Sequence, residues 1–339
     1  MRVSISKDTP TIGIPVYNDR GYLPLLLKTI RMYTRSEYHL LVVDDASSDP
    51  ACSNMIRNAC NEYKADLIVH SKNYCLGGPS PWTTICEHGI SLGSDVIVIC
   101  SNDVLVPPHW LDAALVAFSE NPKHPIGNVF WQTLDLPQED TLAQAKLMHT
   151  HLADMEYRFL HHEPVHLYDN RFVPRPDIGV PTKNIMPLGV AFALTAETYQ
   201  IIGSFPAGYT CFGDSDFGLR CAQVGLCSLG LPYPLLYHAK SATFKDPAVR
   251  EYLELSKRCD DAGNLFRSSW VPVEHRLDPG LSFWPSLEDA YRSNLLHMGS
   301  TRLLARRSPT ATDKFLTTDG VVDTKHSVPG VGVQEFILP

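Results

Sequence analysis

The stretch Asp95-Val96-Ile97-Val98-Ile99-Cys100-Ser101-Asn102-Asp103 joins an apolar, β-branched run to a polar end. The run predicts a buried strand, and Asp103 lies just beyond its end. In an open α/β sheet, ligands collect outside the carboxyl ends of the strands. A carboxylate there can hold a divalent cation, which can in turn hold a diphosphate. Aspartate is also a common turn residue, so this stretch alone leaves both interpretations open.

Three earlier runs, at residues 11–17, 39–44 and 66–70, have the same strand-like composition. The starts of the four runs lie 28, 27 and 29 residues apart, and helical periodicity fills the intervals, as at residues 22–30. Successive βα units favour right-handed crossovers and parallel strands. We therefore predict an α/β fold with a mostly parallel sheet and helices on both faces.

The chain divides by composition into a catalytic domain and an appendage. Residues 1–245 are expected to form one domain, with an insertion at about 132–177 that is polar, His-rich and helical near residues 142–160. Residues 246–339 are expected to form a C-terminal appendage, helical at first and then irregular. Either segment could recognise a ligand or form an oligomer contact.

Composition excludes several broad classes. The 339 residues carry a net charge of −8, which disfavours sequence-independent binding to nucleic acid or to anionic lipid. The nine cysteines contain no Cys-x-x-Cys pair, so neither a disulfide framework nor a zinc ribbon is expected. No apolar run is long enough for a membrane span, and the start of the chain does not resemble a signal peptide. We expect a cytoplasmic protein with reduced thiols, in which any membrane contact is peripheral.

The common phosphate-binding loops are missing from the sequence. The first strand leads into Pro15-Val16-Tyr17-Asn18-Asp19 instead of a Gly-x-Gly-x-x-Gly turn, and no Gly-x-x-x-x-Gly-Lys-Ser/Thr loop occurs. Charge neutralisation by a metal is therefore the favoured way to hold a diphosphate.

Acidic and glycine-containing motifs follow the second and third strands. Asp44 and Asp45 close the second strand, ahead of a helix that Ser47, Ser48 or Asp49 can cap. Asn73 with Gly77 and Gly78 follows the third strand, where paired glycines allow close backbone approach to a ligand. A plain turn is the simpler interpretation of these glycines.

Two later motifs add candidate catalytic groups. Asp214 and Asp216 lie two residues apart, so one could act as a general base while the other orients it or pairs with Arg220. Acids at a helix start are also favoured by the helix dipole alone. His238 ends an apolar run, and an imidazole there can complete a metal site that a carboxylate begins.

In this order and spacing, the motifs resemble those of family 2 glycosyltransferases with the GT-A fold, and of rhamnosyltransferases in particular. The resemblance covers residues 10–244. Residues 101–103 correspond to the metal-binding Asp-x-Asp motif, although only Asp103 is acidic here. Residues 212–220 correspond to the acceptor-side Glu-Asp-x-Asp segment, with Gly213 in place of the glutamate and Asp214 at the position of the catalytic base.

The resemblance implies transfer of a hexosyl or deoxyhexosyl group, with inversion, from a nucleotide diphosphate-sugar to a hydroxyl of a glycan or glycoconjugate. A UDP-sugar is the favoured donor, and Mn²⁺ or Mg²⁺ the cofactor. Asp214 is the preferred base over Asp216, and Asp103 with His238 holds the metal. The expected donor-binding residues are Pro15, Tyr17, Asn18, Asp44, Asp45, Asn73, Gly77, Gly78, Asn102 and Asp103.

Other functions remain open from the sequence. A nucleotidyltransferase acting on a sugar phosphate would also use an α/β sheet and a metal, but a Gly-rich basic loop would follow its first strand. A non-catalytic protein that binds sugar nucleotides would explain the reduced acidity of residues 101–103. A nucleic-acid acceptor is disfavoured by the acidic charge balance.

Overall fold

The structure is a computed structural model that describes residues 9–120, 126–135, 182–184, 189–223, 226–239, 246–272, 303–306 and 315–317. The helix expected near residues 142–160, most of the insertion around it and most of the C-terminal appendage lie outside these residues. Within them, no helix is both long and apolar enough to cross a membrane.

The amino-terminal part consists of four strands that alternate with three helices, as the sequence predicts. Its elements are β1 (Thr11–Val16), α1 (Leu23–Tyr33), β2 (His39–Asp44), α2 (Pro50–Tyr63), β3 (Asp66–Val69), a 3-10 turn (Tyr74–Leu76), α3 (Pro81–Ser91) and β4 (Val96–Cys100). Asp49 caps α2 by accepting a hydrogen bond from the amide of Ala51 at 2.9 Å, and Pro50 occupies the first helical turn. This is a favourable helix start, because proline gives up an amide that has no helical partner.

The second part adds strands and helices in a less regular order. Its elements are β5 (Val104–Leu105), α4 (Trp110–Glu120), β6 (Ile126–Asp135), β7 (Thr182–Asn184), β8 (Ala191–Thr195), α5 (Ala196–Ile202), α6 (Gly213–Gln223), β9 (Cys227–His238), α7 (Pro247–Tyr252), α8 (Leu255–Ser269), β10 (Trp270–Pro272), β11 (Leu303–Arg306) and β12 (Phe315–Thr317). The start of the expected insertion thus continues β6 as a strand. The helical signal at the start of the appendage corresponds to α7 and α8.

The main sheet has the order β3-β2-β1-β4-β8-β6-β9-β5, and β7 pairs with β9. Strands β3, β2, β1 and β4 are parallel, so their carboxyl ends lie at one edge. Strand β8 runs antiparallel to β4 and to β6, whereas β6 and β9 are parallel. The last three strands, β10 to β12, form a small antiparallel sheet.

Alternate residues of the strands enter two separate apolar clusters, one on each face of the sheet. Ile12, Ile14 and Val98 pack with residues of α1, α2 and α4. Ile97 and Ile99 pack on the other face with residues of α3, α5 and α6. The period of two along a strand makes this division possible, because neighbouring side chains point to opposite faces. The α/β fold with helices on both faces is therefore confirmed.

A glycine in β1 allows α3 to lie very close to the sheet. A Cβ atom at Gly13 would lie only 2.1 Å from Cγ2 of Ile85, which is fully buried. A larger residue at this position would push α3 away from β1. This contact fixes the helix whose first turn carries Trp82, a residue of the cavity described next.

Candidate active site

A cavity of about 570 Å³ opens beside the carboxyl ends of β1 and β4. Most of the predicted site residues line it: Pro15, Tyr17, Asp45, Asn73, Asn102, Asp103, Asp214 and His238. We call Asp103, Asp214 and His238 the acid wall, and Tyr17, Asp45 and Asn73 the loop wall. The cavity thus joins residues separated by more than 200 positions in the sequence.

Strand pairing brings Asp103 and His238 together. Strand β5 runs antiparallel to the end of β9 with Val104 opposite His238, and the amide of Ala239 donates to the carbonyl of Asp103 at 2.9 Å. The Nε2 atom of His238 consequently lies 3.7 Å from Oδ2 of Asp103, and both side chains are about nine-tenths buried. Two groups on paired backbone segments are held at a fixed separation, as a binding site requires.

Asp214 enters the cavity from the first turn of α6. Its Oδ2 atom accepts the amide hydrogen of Gly189 at 3.0 Å, and its Oδ1 atom accepts that of Ser215 at 2.8 Å. Burial raises the pKa of Asp214 above that of an ordinary aspartate, although these hydrogen bonds oppose the shift. A carboxylate with a raised pKa and a fixed orientation is suited to accept a proton.

Asp216, the other candidate base, lies behind the cavity lining. It is fully buried, and its Oδ2 atom accepts a hydrogen bond from Nε of Arg220 at 2.8 Å. Arg220 also donates to the carbonyl of Ile202 at 2.7 Å, which ties α6 to the end of α5. Of the two carboxylates, only Asp214 lines the cavity, whereas Asp216 holds Arg220, the residue that links the two helices.

The loop wall is built around Asp45. Its Oδ1 atom is 2.8 Å from Nδ1 of His70, and its Oδ2 atom accepts the amide hydrogen of Tyr74 at 2.9 Å. The far side of the His70 ring is 2.9 Å from Oγ1 of Thr84 on α3. Asp45 therefore connects the loop after β2 to the end of β3 and, through His70, to α3. His70 follows β3 by one residue, and its sequence position alone gave no sign of this role.

Asn73 organises the loop that follows β3. Its side chain donates to the carbonyl of Asp45 at 2.8 Å and accepts the amide hydrogen of Cys75 at 2.8 Å. Gly77 has a positive φ of 90°, and a Cβ atom at Gly78 would lie 2.1 Å from the carbonyl oxygen of Lys72. Both glycines are thus explained by the tight turn, and both lie behind the cavity lining.

Tyr17 reaches the cavity, whereas Asn18 and Asp44 support it from behind. The Tyr17 hydroxyl is 3.1 Å from Oγ of Ser48, and burial raises its pKa, so it keeps its proton. Asn18 has a positive φ of 45° and accepts the amide hydrogen of Asp49 at 3.0 Å. Asp44 accepts the amide hydrogen of Ser47 at 2.9 Å. These bonds fix the loop after β1 against the loop after β2.

Asp19 holds Asn102 and is a site-supporting residue that the sequence motifs did not single out. Its Oδ1 atom accepts hydrogen bonds from Nδ2 of Asn102 at 2.6 Å and from the amide of Leu23 at 3.1 Å. Asp19 is fully buried, and burial raises its pKa. An aspartate just before an amphipathic helical run is a helix-start signal, and this signal could have identified it.

The donor set of the acid wall fits a divalent cation. Oδ2 of Asp103 and Nε2 of His238 lie 3.7 Å apart, and these two groups would hold the cation. Within the described residues, no cluster of three or more His, Cys, Asp or Glu side chains is arranged to hold a metal. Mg²⁺ commonly binds through one or two protein groups, with phosphate oxygens and waters as the other ligands.

The amino-terminal part of the chain matches a known family. The family model described as glycosyl transferase family 2 matches residues 11–163, which is less than half of the chain. This segment includes β1 to β6 and the whole loop wall. No curated protein matches the chain significantly.

The similar solved structures are distant from this chain in sequence. The chain is similar to S. aureus TarS, with a TM-score of 0.48 and 13% identity over 74% of this chain, and it spans 39% of that TarS chain. Its similarity to TarS 1-349 has a TM-score of 0.47 and 14% identity, covering 85% of this chain and 79% of the other. The chain is also similar to the mannosyltransferase PcManGT from Pyrobaculum calidifontis, a structure in complex with GDP-Man and Mn2+. The TM-score is 0.46 and the identity 15%, and the match covers 85% of this chain and 80% of the PcManGT chain.

Proposed function

We propose that this protein is a glycosyltransferase that moves a hexosyl or deoxyhexosyl group from a nucleotide diphosphate-sugar to a hydroxyl acceptor. The family match over residues 11–163 supports this class of reaction. The observation that carries the proposal is the convergence of Asp103, Asp214 and His238 on one cavity. A UDP-sugar is the favoured donor, and rhamnosyl transfer remains one option within the class.

The charge of the cavity supports metal assistance. Its lining contains Asp45, Asp103 and Asp214, and no lysine or arginine is among the described residues that form it. A diphosphate brought into this environment would be repelled unless a cation accompanied it. Asp103 and His238 would hold Mn²⁺ or Mg²⁺, which supplies positive charge to the departing diphosphate.

The reaction needs a base on the acceptor side, and Asp214 fills this role. The acceptor oxygen forms a bond to the anomeric carbon of the donor sugar while its proton passes to Asp214. The bond from that carbon to the diphosphate oxygen breaks, and the diphosphate leaves with the electron pair. A single displacement of this kind inverts the anomeric carbon. Asp214 later returns its proton to water.

The nucleoside would lie against the loop wall. Tyr17 presents an aromatic side chain, and Asn73 lies at the end of a fixed turn. The carboxylate of Asp45 would accept hydrogen bonds from the nucleoside. Asp44 would contribute indirectly, because it stabilises the turn after β2 by accepting the amide hydrogen of Ser47. Asn102 is held by Asp19 beside Asp103, where it can donate a hydrogen bond to a phosphate or ribose oxygen.

A donor screen tests this proposal. A panel of UDP-, GDP- and dTDP-sugars is incubated with the full chain and Mn²⁺, and release of nucleoside diphosphate is measured with and without EDTA. We expect one donor class to be cleaved, with strong inhibition by EDTA and by Asp103→Ala. Equal turnover in chelator or in Asp103→Ala would remove the metal from the mechanism. No cleavage of any donor by the folded protein would refute transferase activity.

A further inference from the structure

The side of the cavity that contains Asp214 is lined by aromatic rings. Trp82, Phe205, Tyr209 and Phe212 all contribute to it. Trp82 is held edge-on by Phe192 and Phe205, with ring centroids 5.3 Å and 5.2 Å away. These contacts fix the orientation of the Trp82 indole, which is partly exposed. A rigid, partly exposed ring beside a candidate base is a surface for a flat, ring-shaped ligand.

Phe212 lines the cavity from a strained backbone position. Its φ is 68°, in the left-handed region that bulky residues rarely adopt. Its carbonyl accepts the amide hydrogen of Asp216 at 2.9 Å, so this conformation also starts α6. Glycine would satisfy the backbone at this position without strain. A phenyl ring at a left-handed position is strain of the kind that collects at functional sites.

Gly213 leaves space between the aromatic rings and Asp214. A Cβ atom at this position would lie 3.5 Å from Cζ3 of Trp82 and 3.7 Å from Cβ of Tyr209. These are ordinary contact distances, so a methyl group fits and a longer side chain would extend into the region beside Trp82. The space next to the base is therefore open because residue 213 has no side chain.

The charges around this space disfavour an anionic ligand. Asp214 is at its edge, and the described part of the cavity lining carries no lysine or arginine to pair with a phosphate or carboxylate. The hydroxyl groups of Ser80 and Thr210 contribute to the same lining. Aromatic faces combined with hydroxyl groups suit an uncharged ring that has apolar C–H faces and polar edges.

We propose that the space bounded by Trp82, Phe212 and Gly213 binds the ring of an uncharged sugar, which presents one of its hydroxyl groups to Asp214. This assignment rests on the proposed function and names the class of acceptor. The C–H face of the sugar packs on the rings, because the partial positive charge of its hydrogens complements the negative ring face. The acceptor proton passes to Asp214 as described above.

Saturation-transfer NMR on the full chain with UDP and Mg²⁺, which is diamagnetic, tests the assignment directly. The probes are methyl glycosides of neutral hexoses, a hexose phosphate, a methyl glycoside of a uronic acid and a serine-containing peptide. We expect transfer to the ring protons of neutral glycosides and none to the other probes. Gly213→Ala should retain binding, whereas Gly213→Leu should abolish it. Ile201→Ala, which changes an exposed side chain outside the cavity, is the control.

Phe212→Gly separates a ligand role from a structural one. It removes the ring and relieves the left-handed strain, so we expect a melting temperature at or above that of the wild type together with about tenfold weaker glycoside binding. In turnover assays it should raise the KM for the acceptor more than the KM for the donor. Equal glycoside binding by the wild type, Phe212→Gly and Gly213→Leu would overturn the assignment.

The two proposals fail in different ways. Donor cleavage without binding of any neutral glycoside, or preferred transfer to the peptide or to an anionic sugar, would overturn the acceptor assignment alone. Glycoside binding that is lost in Gly213→Leu, without cleavage of any donor, would support the sugar site and refute the transferase reaction.

Discussion

The acid wall and the loop wall both contain aspartate, which serves a different purpose in each. In the loop wall, both carboxylate oxygens of Asp45 are bonded within the protein, to His70 and to the amide of Tyr74. In the acid wall, Asp214 lines the cavity with a raised pKa, and Oδ2 of Asp103 lies 3.7 Å from Nε2 of His238. An acidic motif at a strand end can therefore build a turn or take part in chemistry. Both oxygens of Asp214 are bonded as well, to the amides of Gly189 and Ser215. The two roles differ in what the carboxylate joins, because Asp45 links three segments of the chain through His70 and Tyr74.

The largest expected effect is on catalysis by the acid wall. Asp214→Asn removes the proposed base while keeping a side chain of similar size, so kcat for transfer should fall by about 10²- to 10⁴-fold. The free energy of unfolding should fall by about 1–3 kcal/mol, because the NH2 group of asparagine replaces one of the two oxygens that accept the amide hydrogens of Gly189 and Ser215. Initial-rate kinetics and urea unfolding check both expectations, with Asp112→Asn on α4 as the matched control. A loss of less than fivefold would exclude Asp214 as the base.

The next effect is on stability and concerns the neighbouring carboxylate. Asp216→Ala leaves the buried guanidinium of Arg220 without its ion-pair partner, which should lower the free energy of unfolding by about 3–5 kcal/mol. Urea unfolding measures this loss. If this variant is instead fully stable but inactive, the roles of Asp214 and Asp216 are reversed.

A smaller effect is expected from the loop wall. Asp45→Ala leaves His70 and the amide of Tyr74 without their shared acceptor, at a cost of about 2–3 kcal/mol in stability. The loop should lose its fixed shape, so the KM for the donor should rise more than kcat falls. Thermal unfolding and donor titration measure the two quantities. A fall in kcat comparable to that of Asp214→Asn would contradict the division between the walls.

The smallest effect is the pH dependence of activity on the acid side. The proposed base works only when ionised, so activity should fall on the acid side, at a pH above that expected for an ordinary aspartate. Because the pKa of Asp214 is raised in the folded state, its protonation favours the folded form. The decline should therefore occur without unfolding. Rate profiles recorded alongside circular dichroism test this, and an acid limb that coincides with unfolding would contradict it.

The sequence predicts the regular part of the molecule well. The four amino-terminal strands have β-branched runs and even spacing, and their parallel order follows from βα connections. Asp103 and Asp214 could be selected because each lies next to an element end. Contacts between distant segments were not predictable. The pairing of β5 with β9 sets the distance between Asp103 and His238. Asp45, at the end of β2, forms a hydrogen bond with His70, at the end of β3. Neither contact has a local sequence signal.

The small apolar cluster formed by Val249, Leu253 and Leu255 against Tyr17 has a practical consequence for shortened versions of the protein. Leu253 also lines the cavity, and Arg20 forms a salt bridge with Asp246. A chain cut at residue 245 would retain the acid wall but expose one side of Tyr17 to solvent. Truncations intended to isolate the catalytic part should therefore extend through α8, to Ser269 or beyond.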